Sequence, residues 1–181
     1  MPEFAITAAD EYREAFPDSF LDRLPLWVRL SELAPHLPQT PTNSLSRDEL
    51  EASLKRWIET TPPGGLTWSV IKPPLAAGRL LLLLDGVDEV ALGDTTEKNQ
   101  NGNQPSPRET LLSGITAPAD QWIEAGNRIL LTSRPYGLAT DQVSALARVG
   151  LPEAQLDTLP EPLQELLATR WFHALPKFTA E

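Results

Sequence analysis

The 181-residue chain has no cysteine, which excludes disulfides and thiolate-ligated metals. It has only two histidines, His36 and His173. They lie far apart in the sequence and read as structural or surface residues, not as a metal site. Basic residues are outnumbered, 15 Lys and Arg against 25 Asp and Glu, for a formal net charge of −10. With no long basic run, the chain is a poor partner for nucleic acid or for an anionic membrane surface. Leu80–Leu84 falls far short of the roughly 20 apolar residues that span a bilayer. The opening "MPEFAITAADEYREAF" carries neither a basic n-region nor a long apolar stretch, so no secretory signal is expected. GxSxG is missing as well, so Ser113 in "LLSGI" is no nucleophile elbow. These absences lead to the expectation of a soluble, cytoplasmic protein that uses neither nucleic acid nor membrane.

What the chain does have is a hydrophobic fraction of 41%, enough for one core, and 18 prolines that divide it into pieces. Residues 8–16 read as a short polar helix, a lead-in within residues 1–20. "LPLWVRL", 24–30, is short and apolar and suits a strand. "APHLPQTPT", 34–42, is a proline-rich loop. "SRDELEASLKRWIE" opens with Ser46 and carries Glu49 three residues on, a capping-box pattern. Leu50, Leu54, Trp57 and Ile58 then fall on one helical face. Residues 68–76 predict a short helical or irregular piece, because Pro73 and Pro74 interrupt it. "RLLLLLDGVDEV" holds a five-leucine run between Gly78 and Gly86, too short for a typical helix. Apolar on both faces, it suits a central parallel strand covered on both sides. Residues 93–107 are polar and read as a disordered insertion. "RETLLSGITAPADQWIEAG" predicts a helix broken near Pro118. "NRILLTSRP", 127–135, predicts a second buried strand, and "AQLDTL", 154–159, a possible short one. "EPLQELLATRWFHAL" predicts an amphipathic helix, and 176–181 is a tail. The five tryptophans, Trp27, Trp57, Trp68, Trp122 and Trp171, read as core or helix-packing residues, since no basic residues interleave with them.

Strands alternating with helices over this length argue for an α/β fold with a parallel sheet. Ligands in such sheets bind beyond the carboxyl ends of the strands. Two polar clusters fall there. Asp85 ends the leucine strand, where a carboxylate can hold Mg²⁺ beside a bound triphosphate. Gly86 leaves room for phosphates or metal, and Asp88 or Glu89 could orient or deprotonate a water. Thr132, Ser133 and Arg134 end the later strand, and Pro135 keeps Arg134 extended. An arginine at that edge can detect a γ-phosphate. The plainer alternatives are a solvated strand-to-loop junction and a structural salt bridge from Arg134 to Asp85 or Asp88.

"LPLWVRL", "RLLLLLDGVDEV", "NRILLTSRPYG" and "LDTLPEPLQELLATRWFHAL" resemble successive blocks of the NACHT domain of the STAND-class P-loop ATPases, over roughly residues 21–175. The resemblance implies a P-loop NTPase sheet with flanking helices and ATP and Mg²⁺ as ligands. Asp85 would be the Walker B magnesium ligand. Asp88, Glu89 and Arg134 would be catalytic, with Arg134 the sensor arginine, and Gly86, Thr132 and Ser133 would line the nucleotide. The family's phosphate loop, GxxxxGK[ST], occurs nowhere in the chain. By resemblance it would precede Met1, and the winged-helix region after the last block is missing too, so the chain reads as a truncated NACHT core.

The resemblance also implies that residues 24–30, 80–84, 128–133 and 154–159 are the family's second to fifth strands and that the first strand is missing. "RILLTS" would then present an unpaired apolar edge, which invites self-association or a protein partner. Two functional readings follow. One is a NACHT-type nucleotide-binding switch whose isolated chain hydrolyses ATP negligibly. The other is a non-catalytic regulatory or interaction module, or a remnant without turnover. An AAA+ protein shares the Asp85 strand but accounts less well for "TSRPYG" and the block after it.

Overall fold

The computed structural model describes residues 22–38, 45–92 and 106–174. The helix expected over 8–16, the tail and residues 93–105 of the expected insertion lie outside these. Ser106 and Pro107 do not belong to that insertion, because they are the N-cap and first residue of a helix.

Among the described residues three strands form one parallel sheet in the order β1 (Leu24–Arg29), β2 (Leu80–Asp85), β3 (Arg128–Leu131). The register sets Trp27 beside Leu83 and Arg29 beside Asp85, and Leu83 beside Leu130. Parallel neighbours need crossovers, and helices supply them. From β1 the chain runs through α1 (Leu30–Leu33), α2 (Arg47–Thr60) and α3 (Trp68–Ala76) to β2. From β2 it returns through α4 (Pro107–Glu124) to β3, and α5 (Thr140–Arg148) and α6 (Glu161–Ala174) follow.

The local chemistry explains the helix bounds. The expected capping box at α2 forms: the Ser46 side chain accepts from the Glu49 N–H, while Glu49 reaches back to the Ser46 N–H at 2.8 Å. Leu50, Leu54, Trp57 and Ile58 all point into the core, none more than 2% exposed. Ser106 and Glu109 repeat the device at α4. Residues 68–76 are helical despite Pro73 and Pro74, and α4 runs unbroken through Pro118, contrary to the expected break. Pro118 is buried, and its packing offsets the backbone bond it cannot make. Helix α5 was not expected from the sequence. Residues 154–159 form no strand. Among the described residues β3 therefore pairs with β2 alone.

The sheet departs from expectation in its cover. Leu26, Val28, Leu80, Leu82 and Leu84 are buried, and Leu24, Ile129 and Leu131 pack against the same core. Residues from α1 to α5 complete that core, including Leu33, Trp57, Ile71, Ile115, Trp122 and Leu146. The alternate residues, Pro25, Trp27, Leu81, Leu83 and Leu130, take no part in it. Thus β2 is buried on one face only, and β3, expected as a buried strand, leaves Leu130 55% exposed. Two tryptophans also depart from their expected core role, Trp27 at 51% and Trp171 at 65% exposure. Trp57 and Trp122 are buried as expected.

The N-terminal end of the sheet is pinned by polar groups. Asn127, fully buried, accepts from the Leu80 N–H and donates to the carbonyls of Leu75 and Trp122, each at 3.0 Å. Arg23 donates to the carbonyls of Gly78 and Gly126. The opposite, C-terminal edge is thereby left to the two polar clusters.

Candidate functional site

Asp85 is the last residue of β2, and Thr132 follows β3 directly. The parallel pairing brings both to one edge. The Thr132 hydroxyl donates to Asp85 Oδ1 at 2.6 Å and accepts from the Gly86 N–H at 3.0 Å. Backbone bonds extend the ladder, with the Thr132 N–H on the Leu84 carbonyl at 2.9 Å and the Val87 N–H on the Thr132 carbonyl at 3.0 Å. The second carboxylate oxygen, Oδ2, accepts a longer bond of 3.4 Å from the indole N–H of Trp27. Asp85 therefore lies toward the uncovered sheet face.

Gly86 then turns the chain. Its φ of +79° belongs to the left-handed region, which a side chain would strain, and a Cβ there would press on the Glu89 side chain at 3.0–3.2 Å. The turn leads into a single short helical turn, Val87–Glu89, with Val87 buried. Asp88 faces the 132–137 segment. Its Oδ1 accepts from the Arg134 N–H at 3.0 Å, and its Oδ2 pairs with Arg134 Nε at 3.3 Å. The Asp88 side chain is 18% exposed and that of Arg134 83%. Of the two partners weighed for Arg134 in a structural pair, Asp88 is the one it meets. Ser133 turns its hydroxyl onto the Arg134 carbonyl at 3.1 Å. Glu89 is exposed.

All the residues singled out in the sequence, Asp85, Gly86, Asp88, Glu89, Thr132, Ser133 and Arg134, thus gather at one sheet edge. Two further residues organise it. Arg108, in the first turn of α4, donates to the carbonyls of Asp88 at 2.7 Å, Val90 at 2.8 and 3.0 Å, and Gly137 at 3.3 Å. One guanidinium therefore ties the 86–90 turn to the 134–137 turn. Its sequence signature is an arginine in a first helical turn, where the macrodipole favours acids. Gly137 closes the second turn, its N–H on the Arg134 carbonyl at 2.8 Å. A Cβ there would collide with the Ser133 hydroxyl and lie 2.7 Å from the Asp88 Cβ. Glycine lets the two turns approach.

The donor set suits one kind of cation. Among the described residues no three carboxylate or imidazole groups converge on a point. Asp85 and the Thr132 hydroxyl offer two hard oxygens, and Asp88 is engaged with Arg134. That fits Mg²⁺, which keeps several waters and binds through one or two carboxylates together with phosphate oxygens. It does not fit an all-protein cage.

No protein-family model matches the chain, and neither a curated protein nor a solved structure matches it. Among the described residues no helix is long and apolar enough to cross a membrane.

Proposed function

We propose that the chain is part of a nucleotide-responsive switch of the NACHT, P-loop NTPase type, and that the edge at Asp85 and Arg134 is its Mg²⁺- and phosphate-facing side. The observation that carries this reading is the pairing of two adjacent parallel strands so that Asp85 meets Thr132 and Asp88 meets Arg134 across one edge. Asp85 and Thr132 would hold Mg²⁺, whose charge would screen a triphosphate. Arg134 would exchange Asp88 for a terminal phosphate, and Asp88 and Glu89 would orient water. The exchange of partners by Arg134 is the switch: the guanidinium would leave Asp88 for the phosphate and free the Asp88 carboxylate, while the Arg134 N–H and Arg108 keep the two turns joined.

The chain lacks the lysine and the backbone N–H cradle of a phosphate loop, which supply most phosphate affinity. Weak binding and negligible hydrolysis by the isolated chain follow. Trp27 gives a direct readout, since its indole bonds Asp85. Calorimetry and tryptophan emission, the latter taken as the difference from Trp27→Phe, should show millimolar binding during titration with Mg-ATP that needs Mg²⁺ and is lost in Asp85→Asn. No response at saturating Mg-ATP would remove the nucleotide reading. The second reading, a non-catalytic interaction module, would then stand, favoured by the exposed apolar residues of α6.

A further inference from the structure

Parallel sheets are covered on both faces, because each strand presents apolar residues to either side. Among the described residues one face is packed against the core and the other takes no part in it. Along the open face the register aligns Trp27, Leu83 and Leu130 in one row across all three strands, with Pro25 and Leu81 in the row before it. Trp27 is 51% and Leu130 55% exposed. The row is continuous across the sheet and bordered by charge, Arg29 lying over the Trp27 ring at 4.7 Å.

The same chain carries a second apolar surface without cover. Helix α6 exposes Leu163, Leu166, Leu167, Trp171 and Phe172, the last two by 65% and 73%. Leu163, Leu167 and Trp171 recur at four-residue intervals on one side of it. Exposed apolar patches of this kind mark interaction sites. The helix stands at the end of an arm. Leu151 is still packed against the core, but residues 152–172 are all exposed. Pro152 and Pro160 restrict the residues before them to extended backbone, so the arm is a semi-rigid spacer that carries α6 away from its own core.

We propose that the open sheet face is a docking site for α6 of a second copy of this chain, and that two copies exchange these arms reciprocally. The helix face of Leu163, Leu167 and Trp171 lies over the Trp27–Leu83–Leu130 row and completes the second layer that a parallel sheet requires. Exchange is favoured over closure within one chain because the proline-stiffened arm directs α6 outward. A single helix-on-sheet contact is small against the roughly 1,200–2,000 Å² that stable interfaces bury, and reciprocal exchange doubles it. This face is distinct from the open edge of β3, since side chains and not backbone groups make the contact.

The absence of cysteine makes the test direct. One preparation of the full chain carries Leu130→Cys, another Leu167→Cys, and the two are mixed and oxidised or treated with a short bifunctional thiol reagent. Light scattering on the unmodified chain should give a dimer, and the mixture should yield a covalent pair joining one chain of each kind. Leu167→Asp, at an exposed position, should return the dimer to monomer with unchanged far-ultraviolet circular dichroism. A monomeric native chain overturns the proposal, whether α6 stays exposed or a chain carrying both Leu130→Cys and Leu167→Cys cross-links within itself. So does a dimer that survives Leu167→Asp, which would assign association to the β3 edge.

Discussion

The Thr132 hydroxyl stands between Asp85 Oδ1, to which it donates at 2.6 Å, and the Gly86 N–H, from which it accepts at 3.0 Å. One side chain from the end of β3 thus satisfies both the acid at the end of β2 and the first amide of the turn after it. Gly86 is buried, so its N–H depends on that acceptor. Thr132→Val keeps the shape and removes the hydroxyl. Leaving a buried donor unpaired costs about 1–3 kcal/mol. Because Thr132 is exposed and water reaches Asp85, the loss should fall near the lower end, about 1–2 kcal/mol, or a few degrees in Tm. Thr132→Ser should keep most of the stability. Equal losses in the two variants would show that the methyl and not the hydroxyl matters.

This relationship was partly legible in the sequence. A leucine run ending in Asp85 and a second apolar run ending in Thr132 and Arg134 announce two strands that finish at one edge, because α/β alternation makes them parallel. The capping box at Ser46 and Glu49 was legible for a similar reason: both partners are local. Cover was not. Leu81 and Leu83 are as apolar as Leu80 and Leu82, so composition alone cannot tell a strand buried on two faces from one buried on one. Nor could propensity show that Pro118 stays inside α4, since tertiary packing overrides a lost backbone bond. Arg108 was missed because its partners are carbonyls, which every residue has, and these lie 18 to 29 residues away in sequence.

Arg108 gives the second prediction. Its forked donors reach Asp88, Val90 and Gly137 together, and a lysine's single ammonium cannot. Charge-assisted bonds are each worth about 1.5–3 kcal/mol and do not add fully when shared on one group. Arg108→Lys should therefore destabilise by about 2–3 kcal/mol, with a local signature. Amide exchange should rise in residues 86–90 and 134–138 and hold steady at Leu26–Val28. A uniform rise over the sheet would mean that Arg108 serves global stability and not the joining of the two turns.

The third prediction concerns acid. The Ser46 hydroxyl, and after it the Ser46 N–H, bond the Glu49 carboxylate and hold its pKa below the ordinary range. A carboxyl whose folded pKa is depressed stabilises the fold fully above its unfolded value. That contribution is lost as pH falls through the folded value. Glu49→Gln keeps an acceptor but cannot titrate. The Tm difference between the native chain and this variant should thus be constant near neutrality and shrink as pH drops below the usual carboxylate range. A gap that stays fixed into that range would detach Glu49 from the acid response. Glu49 is only partly buried, so the effect should be small and should weaken with salt.

The last prediction separates the two halves of the Asp88–Arg134 contact. The ion pair is a surface one at 3.3 Å with an 83% exposed arginine side chain, and such pairs contribute about 0–1 kcal/mol. The bond from the Arg134 N–H to Asp88 Oδ1 is different in kind, because it shapes the turn and survives any change of the arginine side chain. Arg134→Ala should therefore cost under about 1 kcal/mol, and less in high salt. Asp88→Ala removes both contacts and should cost more, about 1–2 kcal/mol, with little salt dependence in the excess. The asymmetry has a functional consequence. A guanidinium held so lightly can leave Asp88 for a phosphate at small cost, whereas one locked in place could not act as a switch. Tripolyphosphate titration should show binding by the native chain that Arg134→Ala weakens several-fold and Asp88→Ala does not weaken, since that variant frees the arginine. If Arg134→Ala proves the costlier substitution for stability, the pair is a structural clamp, and Arg134 is not free to exchange partners.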